Sequence, residues 1–405
     1  MFKMKLRIRV GGFKIGQEGR KAVNDVLDSQ KITEGLNVRE FEKKFASYVG
    51  TKYAVAVSSG TAALISGLEA LKHLEGIKKG GRVITTPLTY ISTSNAIVIT
   101  GLDPVFVDVD TETFCITPET IKQYLEKLDD TTSHRIILPV HLMGYPCKMD
   151  KINKIAKKYG IITFEDSAQA HGTVYKGKKT GSMSKLSDFS FYIAHNIQAG
   201  ELGAVTTDDL DVFKTIKKIK ANGRMCDCLS CTRPEGRCPK LNSYRGNDDF
   251  DPRFTHEFIG YNFKTMEFQA ALALVQLKKA EEIKRKRAEI VRYLNDNLSI
   301  FSDILQLPRY NRNVSYMAYP IIIKDGNKLP RKKIRSGLEK LGVETRPLFG
   351  CIPIHQPAYS YLKEKYTGIL PNAEYLGANG FYIGCHQYLT RKDLDYIVES
   401  FKKIM

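Results

Sequence analysis

No apolar run in this sequence approaches the roughly 20 residues that a bilayer-spanning helix requires. The basic opening MFKMKLRIRV is not followed by the apolar stretch of a secretion signal. Both absences lead to the expectation of a cytoplasmic chain with no membrane partner. Internal repeats and low-complexity segments are also missing, so the chain reads as ordinary folded domains. Acidic residues are the scarcer charge, 44 against 62 basic, which leaves a formal charge of +18. That excess favours acidic partners, yet the lysines are spread along helical stretches such as FKTIKKIKANGR and gather into no arm or tail. The charge therefore reads first as a solvated surface and second as a lure for an anionic small substrate, with nucleic acid not expected.

What is present is a chain of 405 residues, 42% apolar, long enough for one large domain and a smaller partner. Short β-rich runs alternate with helix-length spacers: KYAVAVSSG, GRVITTP, DPVFVDVD, HRIILPVHL, GIITFEDSA, LSDFSFYIA and GELGAVTTD. This alternation predicts an α/β fold, a mostly parallel sheet with helices on both faces. Ligands of such sheets bind beyond the carboxyl ends of the strands, so the polar residues just after each run draw the eye. From about 222 to 255 the periodicity gives way to a Cys-, Arg-, Gly- and Pro-rich inserted loop. A long charged helix follows, and the runs MAYPIIIKD, KKIRSGLEKLG and KDLDYIVESFKKI predict a small α+β unit. The expected division is 1–285 for the large domain and 286–405 for the small one.

Two motifs sit where such a sheet binds ligands. SSGTAAL follows a strand and opens a helix, offering backbone N–H groups to a phosphate, although a plain helix cap uses the same residues. FEDSAQAHG places an acidic side chain at a strand's carboxyl edge. There it could keep the ring nitrogen of a pyridine cofactor protonated, or cap a helix. The glycines of GGFKIGQEG lack a strand-turn-helix setting and carry no such reading.

Taken in order, KITEGLNVREFEKKFASYVGTKYAVAVSSGTAAL, TTPLTYISTSNAIVITGLDPVFVDVD, PVHLMGYPCKMDKI, FEDSAQAHGTVYKGKKTGS, FIGYNFKTMEFQAALALVQL and VETRPLF resemble the DegT/DnrJ/EryC1/StrS sugar aminotransferases. These are fold-type I enzymes dependent on pyridoxal phosphate (PLP). The resemblance covers nearly the whole chain. It implies that Gly60, Thr61 and Ser190 hold the cofactor phosphate, Tyr90 stacks on the pyridine ring, Asp166 pairs with the ring nitrogen and Gln169 approaches its hydroxyl. It further implies a homodimer with shared active sites, in which Asn262 reaches the partner subunit's cofactor phosphate.

One residue departs from that pattern. In SFYIAHNIQAGELGAV, His195 stands where transaminating members carry the lysine that bonds to the cofactor. Imidazole has no primary amine, and no lysine occurs between Lys185 and Lys214 to replace it. The cofactor is therefore expected to be held without a covalent bond, as pyridoxamine phosphate (PMP). An imidazole with its ordinary pKa near roughly 6.5 remains a usable base. The family has a matching branch, the 3-dehydratases of deoxysugar biosynthesis, which remove a hydroxyl from a nucleotide-linked keto-sugar. The alternatives are a sugar aminotransferase-like enzyme and a non-catalytic sensor of the same fold.

The eight cysteines are unevenly spread, and Cys226, Cys228, Cys231 and Cys238 form C-x-C-x2-C-x6-C. Four thiolates at that spacing suit an iron-sulfur cluster or a structural zinc. The segment stands where one kind of 3-dehydratase, the CDP-6-deoxyhexulose 3-dehydrase, has its cluster loop. That resemblance implies a [2Fe-2S] or other cluster and an NAD(P)H-dependent or ferredoxin-type reductase partner. Zinc would accompany a colitose-type dehydratase instead. The dehydrase's further ligand after the ring-pairing aspartate is absent from EDSAQAHG. Cys115, Cys147, Cys351 and Cys385 read as buried apolar residues. Arg346 could meet a substrate phosphate or carboxylate, or serve a structural ion pair.

Overall fold

The computed structural model describes residues 6–226, 228 and 254–405. Its large sheet is built from β1 (Tyr53–Val57), β2 (Arg82–Thr85), β3 (Asp103–Phe106), β4 (His134–Leu138) and β5 (Ile162–Asp166). After the hairpin β6 (Val174–Tyr175) and β7 (Lys178–Lys179), β8 (Leu186–Ser190) and β9 (Gly203–Thr207) complete it. The order across the sheet is β1-β9-β8-β5-β4-β2-β3, and β9 alone runs antiparallel to its neighbours. All seven strands coincide with the apolar runs read from the sequence. Strands covered on both faces need continuous apolar residues, and β4 (HRIIL) and β1 (YAVAV) show this.

Helices cover the sheet: α1 (Gln17–Asp28), α2 (Leu36–Val49), α3 (Gly60–Glu75), α4 (Ser92–Ile99), α5 (Pro118–Leu125), α6 (Met149–Tyr159) and α7 (Leu210–Ile219). Helix α3 is buried at Gly60 and along the ten consecutive residues Ala62 to Leu71, which lets its amino end reach the strand ends. Ser59 caps it, accepting from the Ala62 N–H at 3.1 Å. Gly67 lets α3 lie close on the sheet, because a Cβ there would stand 2.5 Å from the Phe164 ring.

A second sheet of order β10-β11-β13-β12 comes from β10 (Leu305–Gln306), β11 (Tyr319–Ile323), β12 (Arg346–Pro347) and β13 (Gly380–Ile383), all antiparallel. Helices α8 (Glu267–Leu277) and α9 (Ala280–Leu298) lead into it, and α9 runs through the expected boundary between 285 and 286. One apolar cluster spans both sheets, from Val83 and Ile137 to Ile321 and Phe381. The amino-terminal segment also joins the second sheet's side, since Ile8 bridges Val343. No helix among the described residues is long and apolar enough to cross a membrane.

Candidate active site

The strand ends bring together residues distant in sequence. At the start of α3, the Gly60 and Thr61 N–H groups find no acceptor among the described residues, and the helix dipole adds positive potential. A Cβ at Gly60 would lie 2.5 Å from the Ser190 Cβ, so only glycine leaves a cradle between α3 and the end of β8. Gly203, paired with Ser190 across the sheet, is equally constrained: a Cβ would stand 2.1 Å from the Ser59 carbonyl oxygen.

Asp166 closes β5 and is buried. Its Oδ2 accepts from the Thr93 hydroxyl at 2.8 Å and its Oδ1 from the Ala168 N–H at 3.2 Å. Burial nevertheless raises its pKa, because these donors only partly offset the lost hydration. Next along the chain, Gln169 is buried, with Oε1 accepting from the Met143 N–H at 2.9 Å. Met143 sits at φ 55°, and that bond helps hold it in the left-handed region. Below them Glu165 accepts from His141 at 2.9 Å and from the Met183 N–H at 2.8 Å. Burial pushes the Glu165 carboxyl up, but His141 and these backbone donors outweigh it and leave its pKa lowered. Because the His141 Nδ1 accepts from the Cys147 N–H, its Nε2 carries the proton given to Glu165.

His195 lies in the return between β8 and β9. Its Nδ1 stands 2.7 Å from the Ser190 carbonyl oxygen, which can only accept, so Nδ1 bears the proton and Nε2 keeps a lone pair. Burial lowers the imidazole pKa to about 4, the Ser190 carbonyl opposes this and the nearby Arg287 cation adds to it. The ring is thus neutral at physiological pH and a weaker base than the ordinary value of imidazole suggests. Arg287, on α9 and 1% exposed, donates to the His195 carbonyl at 3.2 Å, to Met317 O at 2.7 Å and to Tyr316 O at 3.1 Å.

The open side is aromatic. Tyr90 is 59% exposed with its ring 6.3 Å from that of Phe349, which in turn lies 6.3 Å from Tyr382 on β13. Tyr192 stands 6.2 Å from His195. Arg346, on the second sheet, is held by Glu344 through Nη2 at 3.1 Å and Nε at 3.2 Å. It therefore has a carboxylate partner within the chain, the structural alternative raised from sequence. Asn262 is exposed, on a segment bridged to Ala221, and among the described residues its side chain makes no hydrogen bond to the other site side chains.

Of the cysteine set, Cys226 and Cys228 are half-buried, and Lys217 Nζ donates to the Cys228 carbonyl at 2.8 Å. Cys231 and Cys238, with most of the inserted loop, lie outside the described residues. Among the described residues no group of three or more His, Cys, Asp or Glu is placed to hold a metal. Cys115, Cys147, Cys351 and Cys385 are buried thiols.

Thr93, His141, Arg287, Tyr192 and Phe349 were not anticipated from sequence. Arg287 was detectable: Ile283, Arg287, Ile290, Val291 and Leu294 fall on one helical stripe, and all are buried.

The strand order and a site at the strands' carboxyl ends define a fold-type I PLP-enzyme architecture. The chain belongs to the DegT/DnrJ/EryC1/StrS aminotransferase family, whose pattern matches residues 14–402. It is 31% identical over 401 residues to dTDP-4-dehydro-2,6-dideoxy-D-glucose 3-dehydratase of Saccharopolyspora spinosa, covering 97% of this chain and 85% of that one. It is 30% identical to GDP-perosamine synthase of Caulobacter vibrioides, covering 98% of each. Among solved structures, a histidine-to-asparagine mutant of GDP-4-keto-6-deoxymannose-3-dehydratase with bound GDP-perosamine superposes with a TM-score of 0.85 at 30% identity, over 98% of this chain and 100% of that one. The family holds both 3-dehydratases and aminotransferases, and this chain is an enzyme of that PLP-dependent, sugar-modifying kind.

The residues present fit the phosphate and ring of PLP or PMP. The Gly60 cradle with two free N–H groups suits a phosphate, and the anchored, buried Asp166 suits a protonated ring nitrogen. His195 occupies the place of attachment, and two lysines that flank the β8–β9 region among the described residues are engaged elsewhere, Lys185 by Glu75 and Lys220 by Glu34 at 2.9 Å.

Proposed function

We propose that this enzyme is a PMP-dependent 3-dehydratase acting on a nucleotide-linked keto-sugar, with His195 as its base. When bound, the cofactor supplies an amine that condenses with the sugar's ketone and a ring that accepts electrons. The Gly60 and Thr61 N–H groups and the Ser190 hydroxyl hold its phosphate. Asp166 keeps its ring nitrogen protonated, Tyr90 covers the ring face, and Gln169 turns its amide NH2 toward the ring hydroxyl. His195 Nε2 takes a proton from C4′ and can form no bond to the cofactor.

The observation that carries this reading is the His195 Nδ1 contact with the Ser190 carbonyl, 2.7 Å, which fixes the tautomer with a basic Nε2. Asn262 is assigned to the partner subunit's cofactor in a homodimer. Cys226, Cys228, Cys231 and Cys238 would hold an iron-sulfur cluster, which would supply electrons for reducing the dehydrated sugar, a role supported by the C-x-C-x2-C-x6-C spacing and by its occurrence together with His195.

Borohydride reduction of the protein loaded with pyridoxal phosphate tests the central claim. Intact mass should show no covalent adduct for the wild type and one adduct for His195→Lys. Exchange of solvent deuterium into C4′ of bound PMP should be lost in His195→Asn. An adduct on the wild-type chain, or undiminished exchange in the variant, would overturn the proposal. Metal analysis of anaerobically purified protein tests the cluster separately: iron and sulfide are expected, and zinc alone would refute the electron-transfer role.

A further inference from the structure

Two buried carboxylates near the site have no part in the proposed reaction, Glu165, which His141 and backbone donors satisfy, and Asp188, which they do not reach. It lies on β8, fully buried, and neither of its oxygens has a hydrogen-bond donor elsewhere in the described protein. An isolated charge in such a place is costly unless something pairs with it. The strand register says what that is: β5 and β8 run parallel with Asp166 directly opposite Asp188. Two residues earlier Phe164 faces Leu186, and both approach Gly67 of α3, so the two aspartates share the face that packs against α3. Neighbouring strands lie about 4.8 Å apart, so carboxyls in register on one face of the sheet are close enough to share a proton.

We propose that Asp188 and Asp166 form a proton-sharing pair, with the proton on Asp188 and the negative charge on Asp166, so that Asp188 is a positioning residue acting on the cofactor's ring nitrogen through Asp166. Two adjacent buried carboxylates cannot both ionise at neutral pH without a cation, a part that the protonated ring nitrogen of a bound cofactor would play. Thr93 and the Ala168 N–H, which donate to Asp166 and not to Asp188, decide which member holds the charge. Burial, and then the Asp166 charge, hold the Asp188 carboxyl well above the usual range.

The other titratable groups on elements packed against β8 are already engaged. On β5, Glu165 is bound by His141. On α3, Glu69 pairs with Lys72, Glu75 with Lys185, and His73 lies against Phe258. Strand β9 carries none. The inference rests on the cofactor assignment made above, but its first test does not need the cofactor.

Carboxyl carbon resonances of cofactor-free protein labelled at the aspartate side chain are followed against pH, with Asp166→Asn used for assignment. One carboxyl is expected to titrate at least two pH units above the ordinary aspartate value near roughly 4. Asp188→Asn should abolish that midpoint and move the midpoint of Asp166 by more than half a unit. If every carboxyl titrates below about pH 5, or if Asp188→Asn leaves Asp166 unmoved, the pair does not exist. The wild-type titration is decisive even if the variant folds poorly, and Asp188→Ser provides a second substitution.

Binding of PMP is then measured against pH. The dissociation constants of wild type and Asp188→Asn should agree at low pH and diverge about tenfold above the higher midpoint, where the wild type gains a second charge. Parallel profiles would overturn the link to the ring nitrogen. A protein that shows the coupled titration but binds no PMP would refute the proposed function and leave the carboxyl pair standing.

Discussion

Replacing Arg287 by methionine perturbs the site and the fold together, through bonds that can be counted. Its guanidinium makes four hydrogen bonds, to Gln387 Oε1, Tyr316 O, Met317 O and His195 O, at 2.7 to 3.2 Å. Three of these acceptors are backbone carbonyls, and no carboxylate is among the partners. Methionine fills much of the same volume but leaves the Met317 and His195 carbonyls without that donor, at about 1–3 kcal/mol each, whereas the Tyr316 carbonyl keeps the Asn196 amide. Relief from burying an uncompensated cation recovers part of that, so a net loss of about 3 kcal/mol is expected, comparable with other broken buried charge contacts. At ~2.1 cal/mol/K per residue, the unfolding entropy of a cooperative chain this long is on the order of 0.85 kcal/mol/K, and the loss lowers Tm by about 4 °C.

A second consequence separates positioning from bulk stability. The Arg287 charge helps hold the His195 pKa down at about 4, so its removal should raise the His195 midpoint. Differential scanning calorimetry and imidazole proton NMR of the cofactor-free protein read the two effects. A Tm change below 1 °C, or a His195 midpoint that stays put while Tm falls, would refute the account of Arg287 as the pin of the His195 return.

Gly60→Ala should weaken PMP binding at least tenfold, measured by equilibrium dialysis, because the new methyl would meet the Ser190 Cβ. Thr93→Val strips Asp166 of its hydroxyl donor; stability should fall by about 1–3 kcal/mol and the Asp166 carboxyl midpoint should rise, both accessible to denaturation and NMR. Glu165 has a lowered folded-state pKa, so its contribution is present above the unfolded carboxyl value near roughly 4.3 and is lost as pH falls through the folded value. Glu165→Gln should therefore flatten the acid limb of Tm against pH, and an unchanged limb would count against that assignment. Bound anionic cofactor should raise the His195 midpoint from about 4, since nearby negative charge favours the imidazolium; an NMR titration with and without PMP would show it.

The large sheet was legible because each of its strands is a short apolar run ended by polar residues, and burial on both faces demands that pattern. Its order was not, since β9 inserts between β1 and β8 through pairings that no local pattern records. In the second sheet MAYPIIIKD announced β11, whereas β10 and β12 are two residues long and exist only through their partners. The site divided in the same way. Gly60, Asp166 and His195 follow strand ends and could be placed, while Thr93 looks like any residue opening a short helix. Asp188 passed as part of a strand, because its significance arises only when β5 is laid beside β8.

The return that carries His195 is closed at its root: Phe191 N–H donates to Leu202 O at 2.8 Å, and Ser190 pairs with Gly203 in the strands beneath. Chain ends fixed so firmly isolate the identity of residue 195 from the folding of everything around it. A single replacement there would swap an amine for an imidazole on an unaltered scaffold, because the paired strands hold the return at the same width whichever side chain it carries. Such a loop lets reaction type drift while architecture stands still.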